Sequence, residues 1–236
     1  MPAELRVFAD ADELGAELAH EVLARYDASD GPYLLGCPGG RSLRTTYRAL
    51  AAHGRVLDRL IVVMMDEYLG APPDAHYSCT RFAHEEIAGP LGAREVWLPG
   101  ADDPGAYDAR IGDAGGVDVF LLASGASDGH VAFVPPGGAR SGRTSVLPLA
   151  ETTRRDNLAT FPEFESLADV PLYGISIGLG TIAEARTLRL VLHGAGKRAA
   201  TARLLGLDEF DSSWPASVVH DHPDAQIWID EEALNR

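Results

Sequence analysis

The chain has 236 residues, with 35 acidic against 20 basic side chains and a formal charge of −15. That balance excludes a surface built for a nucleic-acid backbone, although a few local cations still suffice for a small anion. Nearly half the residues are apolar, enough to core one large α/β domain or two small ones, yet no apolar run of about 18 residues exists to span a membrane.

Residues 1–10 lack the basic-then-apolar pattern of a secretory signal. Two cysteines, Cys37 and Cys79, give no disulfide framework, so a reducing, cytoplasmic location is expected. The first strand covers residues 5–9. Asp10 or Asp12 is placed to cap a helix over 14–26, with Leu14, Leu18, Val22 and Leu23 on one face. Residues 32–37 form an apolar strand without alternation, as expected of burial on both faces. The turn Pro38-Gly39-Gly40-Arg41-Ser42 follows, then a helix over 43–53 with Ser42 as its expected N-cap.

Residues 60–65 make another continuous apolar strand, ending in Asp66-Glu67-Tyr68. A link through Pro72-Pro73 leads to a helix over 77–87, a short strand at 95–98 and a short helix at 107–111. A strand over 117–123 opens onto Ser124-Gly125-Ala126-Ser127-Asp128-Gly129-His130. Residues 135–143 are too rich in Pro and Gly for a regular element. Residues 149–169 are mostly polar and weakly patterned, and are expected to form a lid. A strand at 173–177, a short helix from Gly178 to 185, a strand at 188–193, a helix from 194 to 205, a helical turn at 216–220 and a last strand at 226–229 complete the chain.

Strands alternating with helices imply a mostly parallel sheet covered on both faces, in one domain over 1–236. In such sheets ligands bind outside the carboxyl ends of the strands. Four stretches fall there: 38–42, 66–68, 124–130 and 194–197.

Each suits particular chemistry. Gly39, Gly40, Arg41 and Ser42 lead from a strand into a helix start, where free N–H groups favour an anion. Their spacing is neither that of the P-loop nor that of the dinucleotide fingerprint. Lys197 sits at a second such junction and is the only lysine of the chain; a compact ammonium there suits a phosphate. Asp66 ends an apolar strand, where a raised pKa suits a general base. Asp128 and His130, two apart in a glycine loop, are a candidate acid–imidazole pair for moving a proton on a ring oxygen or a lactone. The remaining histidines are scattered without zinc-site spacing, so no metal is expected, and no GxSxG elbow marks a serine nucleophile.

These blocks resemble the glucosamine-6-phosphate deaminase family, within the wider group that includes 6-phosphogluconolactonase. They are LGCPGGRSLRTTYRAL (35–50), MDEYLG (65–70), GASDGHVAF (125–133), RTSVLPLAETTRRDN (143–157), IGLGTIAEA (177–185) and PASVVHDHPDAQIWIDEEA (215–233). They follow the family's order over nearly the whole chain. The resemblance implies a modified Rossmann-like, doubly wound α/β fold with helices on both faces. It implies that Asp66 moves a proton between C1 and C2 of the sugar. Asp128 and His130 would assist ring opening, and Lys197 and the 39–42 turn would hold phosphate. A small sugar phosphate is then the expected partner, no cofactor is needed, and assembly into a homo-oligomer stays open.

The sequence also departs from the family pattern. The glutamate that completes the ring-opening relay falls on Pro135. An arginine that helps to hold phosphate falls on Ala159, and Arg41 is its candidate replacement. The basic pair that binds an allosteric activator in regulated members falls on Ser145 and Leu147, so that regulation is not expected. Three activities follow: a deaminase or isomerase with an altered substrate, a lactonase-type hydrolase, and a non-catalytic sugar-phosphate sensor.

Overall fold

Non-alternating apolar runs become strands buried on both sides. The computed structural model describes residues 2–234, so Met1, Asn235 and Arg236 lie outside the described residues. Among the strands are β1 (Glu4–Phe8), β2 (Tyr33–Cys37), β3 (Leu60–Met64), β4 (Asp66–Tyr68), β5 (Glu95–Trp97) and β6 (Val119–Ala123). They are joined by β7 (Ser145–Pro148), β8 (Tyr173–Ser176), β9 (Leu188–Leu192) and β10 (Ala225–Asp230). Seven of them form one sheet in the order β1-β10-β9-β6-β2-β3-β5, and every neighbouring pair is parallel.

Alternate residues of one strand feed two separate cores. Leu60, Val62 and Met64 of β3 join Leu14, Leu18 and Val22 of α1 (Ala11–Asp27) and Tyr47 and Leu50 of α2 (Arg44–Ala52). Ile61 and Val63 face the other way, towards Tyr107 and Ile111 of α5 (Pro104–Asp113), Leu179 and Ile182 of α7 (Leu179–Ala183), and Ala200 and Leu204 of α8 (Arg198–Leu205). Helices on both faces therefore account for the lack of polar alternation. Asp10 caps α1 by accepting from the N–H groups of Asp12 and Glu13, as one of the two expected caps.

From β2 the connections run one way through β3 to β5, while β6, β9 and β10 lie on the other side. The order reverses between β2 and β6, and a crevice opens at the carboxyl ends of such a pair. The chains leaving β2 and β6 are the glycine turn at 38–42 and the Asp128–His130 loop. The ring of Phe120 on β6 packs over Gly36 of β2, where a Cβ would overlap it at 1.7 Å.

Several elements differ from the expectations. The helix expected over 77–87 is α3 (Cys79–Phe82), a wide π turn (Ala83–Ala88) and α4 (Gly89–Leu91). Pro90 has no N–H to offer the carbonyl of Glu86, so a regular ladder cannot continue through it. Ser42 does not cap α2: Leu43 stands at the N-cap and no side chain bonds there. The helix after β9 begins later than expected, with a 3-10 turn (Ala195–Lys197) preceding α8. Residues 66–68 and 173–176 belong to a second sheet, antiparallel, in the order β4-β8-β7, and the strand expected to run to 177 ends at Ser176. The polar stretch at 149–169 contains α6 (Glu151–Thr160).

Candidate active site

The four strand-end stretches line one cleft of about 560 Å³, over the crevice between β2 and β6. Gly39, Gly40, Arg41, Ser42, Asp66, His130 and Lys197 all face it. Asp128 does not: it is buried behind His130. α6 contributes Asp156, Asn157 and Thr160 to the opposite rim.

His130 is oriented from behind. Its Nδ1 donates to Oδ1 of Asp128 at 2.7 Å, and its backbone N–H donates to the same oxygen at 3.1 Å. Thr152 of α6 donates to Oδ2 of Asp128. Burial works to raise the Asp128 carboxyl, but the bonds from His130 and Thr152 outweigh it and bring it down to about 2. A carboxylate so firmly ionised accepts only, which fixes the proton on Nδ1 and turns Nε2 towards the cleft. Two glycines make the loop possible. A Cβ on Gly125 would meet Nδ1 of His130 at 2.2 Å, and Gly129 has φ +69 with Trp214 packed where a side chain would stand.

Asp66 has the opposite surroundings. It is 6% exposed and receives one side-chain bond, from Sγ of Cys79 at 3.2 Å. Burial is the largest influence and pushes its carboxyl up to about 7; the thiol bond and His130 oppose this, while Glu67 adds to it. Such a group changes charge near neutrality, as a general base at pH 7 requires.

Lys197 reaches across from the end of β9 to the end of β6, where Nζ donates to the Ser124 carbonyl at 2.6 Å. Burial lowers its pKa, Asp156 raises it and Arg41 lowers it further. Asp230 of β10 holds the preceding turn, accepting from the Gly194 N–H through both oxygens at 2.9 Å. His193 donates from Nε2 to the Ser42 carbonyl at 3.1 Å and so ties that turn to the glycine turn after β2.

The sequence of the glucosamine-6-phosphate isomerases/6-phosphogluconolactonase family matches residues 9–228. The chain belongs to this family. The glucosamine-6-phosphate deaminase of Shouchella clausii is 36% identical over 217 residues, covering 85% of this chain and 84% of that one. That of Rhodococcus jostii is 38% identical over 218 residues, covering 87% and 82%. The solved structure of a monomeric glucosamine-6-phosphate deaminase superposes with a TM-score of 0.89 at 26% identity, over 98% of this chain and 99% of that one. The 6-phosphogluconolactonase of Trypanosoma cruzi shares the fold, with a TM-score of 0.71 at 18% identity over 99% and 96%.

Pro135, where the resemblance would place a glutamate, is not part of the cleft wall. A tight turn closed by the Val131–Val134 bridge carries the chain away just before it. Among the described residues, no group of three or more His, Cys, Asp or Glu could hold a metal ion, and no helix is long and apolar enough to cross a membrane. Three contributors escaped the sequence reading: Cys79 against Asp66, Thr152 against Asp128, and Asp230 against Gly194. Each acts over 13 or more positions of chain, and no local spacing signals such a contact.

Proposed function

We propose that this enzyme converts a hexosamine 6-phosphate and water to a ketose 6-phosphate and ammonia. The observation that carries the proposal is the pairing, in one cleft, of a buried carboxyl poised at about 7 with an imidazole fixed through its other nitrogen. Relatives that bear the deaminase name over most of this chain support the same reading.

His130, fixed by Asp128, moves a proton to the ring oxygen as the C1 hydroxyl gives up its own, and the ring opens to the aldehyde. Asp66 takes the proton from C2 and returns it at C1. The C2–N bond becomes an imine as the amine gives up one proton, and O1 takes up one, so that the C1 carbonyl becomes an alcohol. Water adds at C2, ammonia leaves with the displaced proton, and the ketose remains. Lys197, Arg41, Ser42 and the N–H groups of Gly39 and Gly40 hold the phosphate. No glutamate stands at 135, so the ring-opening relay consists of Asp128 and His130. α6 and the residues after it, over 149–169, act as a lid on one domain. The two buried free cysteines suit a reducing, cytoplasmic setting.

The test is turnover of glucosamine 6-phosphate and its epimers, with ammonia and ketose phosphate followed separately. Both products in equal amounts are expected. Ketose without ammonia from an unaminated aldose phosphate would make the enzyme an isomerase. Pro135 favours one second reading, lactone hydrolysis, which does not use the missing glutamate. Hydrolysis of 6-phosphogluconolactone without turnover of amino sugars would replace the deaminase reading by that one.

A further inference from the structure

Asp66 has a neighbour that the mechanism above does not use. Cys79 opens α3, and Sγ lies 3.2 Å from Oδ1 of Asp66. Among the described residues nothing donates to Oδ2. The thiol is held there by the residue next to the base. Glu67 accepts from the N–H of Tyr68, the hydroxyl of Ser78, the N–H of Cys79, and both the N–H and the hydroxyl of Thr80, at 2.7–3.1 Å. Asp66 itself is fixed by the β4–β8 pairing, opposite Ser176. Both partners are thus tied to β4, Asp66 directly and Cys79 through Glu67, and are brought face to face on the cleft wall. Burial pushes the Cys79 thiol well above its ordinary value, so it keeps its proton and can only donate to a carboxylate.

We propose that Cys79 is a positioning residue for the base: its thiol engages Oδ1 of Asp66 and leaves Oδ2 as the oxygen that handles the substrate proton. The proposal rests on the assignment of Asp66 as that base. A donor to the ionised form also eases ionisation in an apolar pocket. The other titratable groups near enough to influence the carboxyl are Glu67 and Tyr68 on β4, His130 from the loop after β6, Tyr47 of α2 and Tyr107 of α5. The three tyrosines are pushed well above their ordinary values by burial and stay neutral. Glu67 disfavours ionisation and His130 favours it, which leaves the thiol as the neutral group that bonds the carboxyl directly.

The experiment compares Cys79→Ser, which keeps a donor, with Cys79→Val, which removes it while filling the space. Two readouts are taken on the full chain. One is the pH profile of kcat/KM with glucosamine 6-phosphate. The other is the 13C carboxyl titration of Asp66, assigned by loss of its signal in Asp66→Asn. Cys79→Val is expected to move the acid limb and the carboxyl midpoint up by about 0.5–1 unit. At pH 7 its kcat should fall about threefold by the loss of ionised base, recover by pH 9, and leave KM unchanged. Cys79→Ser is expected to stay at or below the wild-type midpoint with wild-type kcat. Recovery at high pH and rescue by serine are effects that a merely structural role does not produce. Cys79→Ala replaces the valine variant should that one unfold. Midpoints equal in all variants would overturn the proposal. A midpoint that follows Cys79 in an enzyme without amino-sugar turnover would leave the thiol–carboxyl coupling standing and remove the reaction assigned to it.

Discussion

Asp66 opens β4 with a single weak thiol donor on its carboxyl, whereas Asp128 is wrapped by the His130 ring, a backbone N–H and the Thr152 hydroxyl. Both carboxyls are largely hidden from water. One is nevertheless pushed up to about 7 and the other held down to about 2. Burial works in the same direction on both, so their neighbours decide between them: Glu67 opposes ionisation of Asp66, whereas the bonds from His130 and Thr152 and the nearby His130 ring favour that of Asp128. Two identical side chains are thereby suited to separate tasks in the proposed reaction: one to exchange a proton near neutrality, the other to stay charged and steer an imidazole.

Asp66→Asn should break the comparison most severely. Loss of the base is expected to lower kcat by about 10²–10⁴ while ligand affinity is kept. The same variant should be the more stable protein above neutral pH. An acid whose folded pKa is raised keeps its proton in the native state longer than in the unfolded chain, so wild-type stability falls as pH rises from about 4 to about 7. With the buried amide's own desolvation set against this, a gain on the order of 1–2 kcal/mol at pH 8 is expected in urea titrations. Full activity in Asp66→Asn would remove the residue from the mechanism.

Asp128→Asn tests the other side. Without the charge the imidazole loses its fixed tautomer, and kcat should fall by about 10–100-fold, measured at saturating substrate. The linkage sign is reversed here. Asp128 stabilises the fold above about pH 4 and loses that contribution as pH falls towards 2. Acid unfolding of wild type should therefore be steeper over this window than that of the variant, by about 1–2 kcal/mol. Parallel curves would show that the bonds to Asp128 do not hold the loop.

Lys197→Ala should leave the Asp66 carboxyl untouched and act mainly on binding. Loss of a charge-assisted bond is expected to raise KM by roughly tenfold to a hundredfold, or about 1.5–3 kcal/mol, with kcat little changed. An unchanged KM would mean that phosphate is held elsewhere. The mildest test needs no substitution: the acid limb of wild-type kcat/KM should lie near the Asp66 midpoint of about 7, and a limb near 4 would exclude that carboxyl as the titrating base.

The cleft was legible from sequence because its parts stand at strand ends, and the strands announce themselves. Runs such as YLLGC and LIVVM stay apolar because both of their faces are buried. What lay across them was illegible. β4 and β7 are 3 and 4 residues long, too short to carry a period. α6 reads ETTRRDNLAT, and its weak apolar face resembles a loop. The 77–87 stretch looks helical throughout, yet Pro90 disrupts the ladder from beyond its end. Asp66, Asp128, His130 and Lys197 could be picked out as candidates from type and place. The thiol and hydroxyl that distinguish the two acids come from distant segments, and only packing reveals them.

The bond from Lys197 to the Ser124 carbonyl also bears on the thermodynamics of anion capture. A free lysine has much rotamer freedom to lose on meeting a phosphate, on the order of 2 kcal/mol. Here the side chain is already stretched across β9 and β6 by one of its three donors, leaving two to face the guest. Most of that ordering therefore takes place when the protein folds. Calorimetry should find phosphate uptake at this end dominated by desolvation, with little side-chain immobilisation left to oppose it.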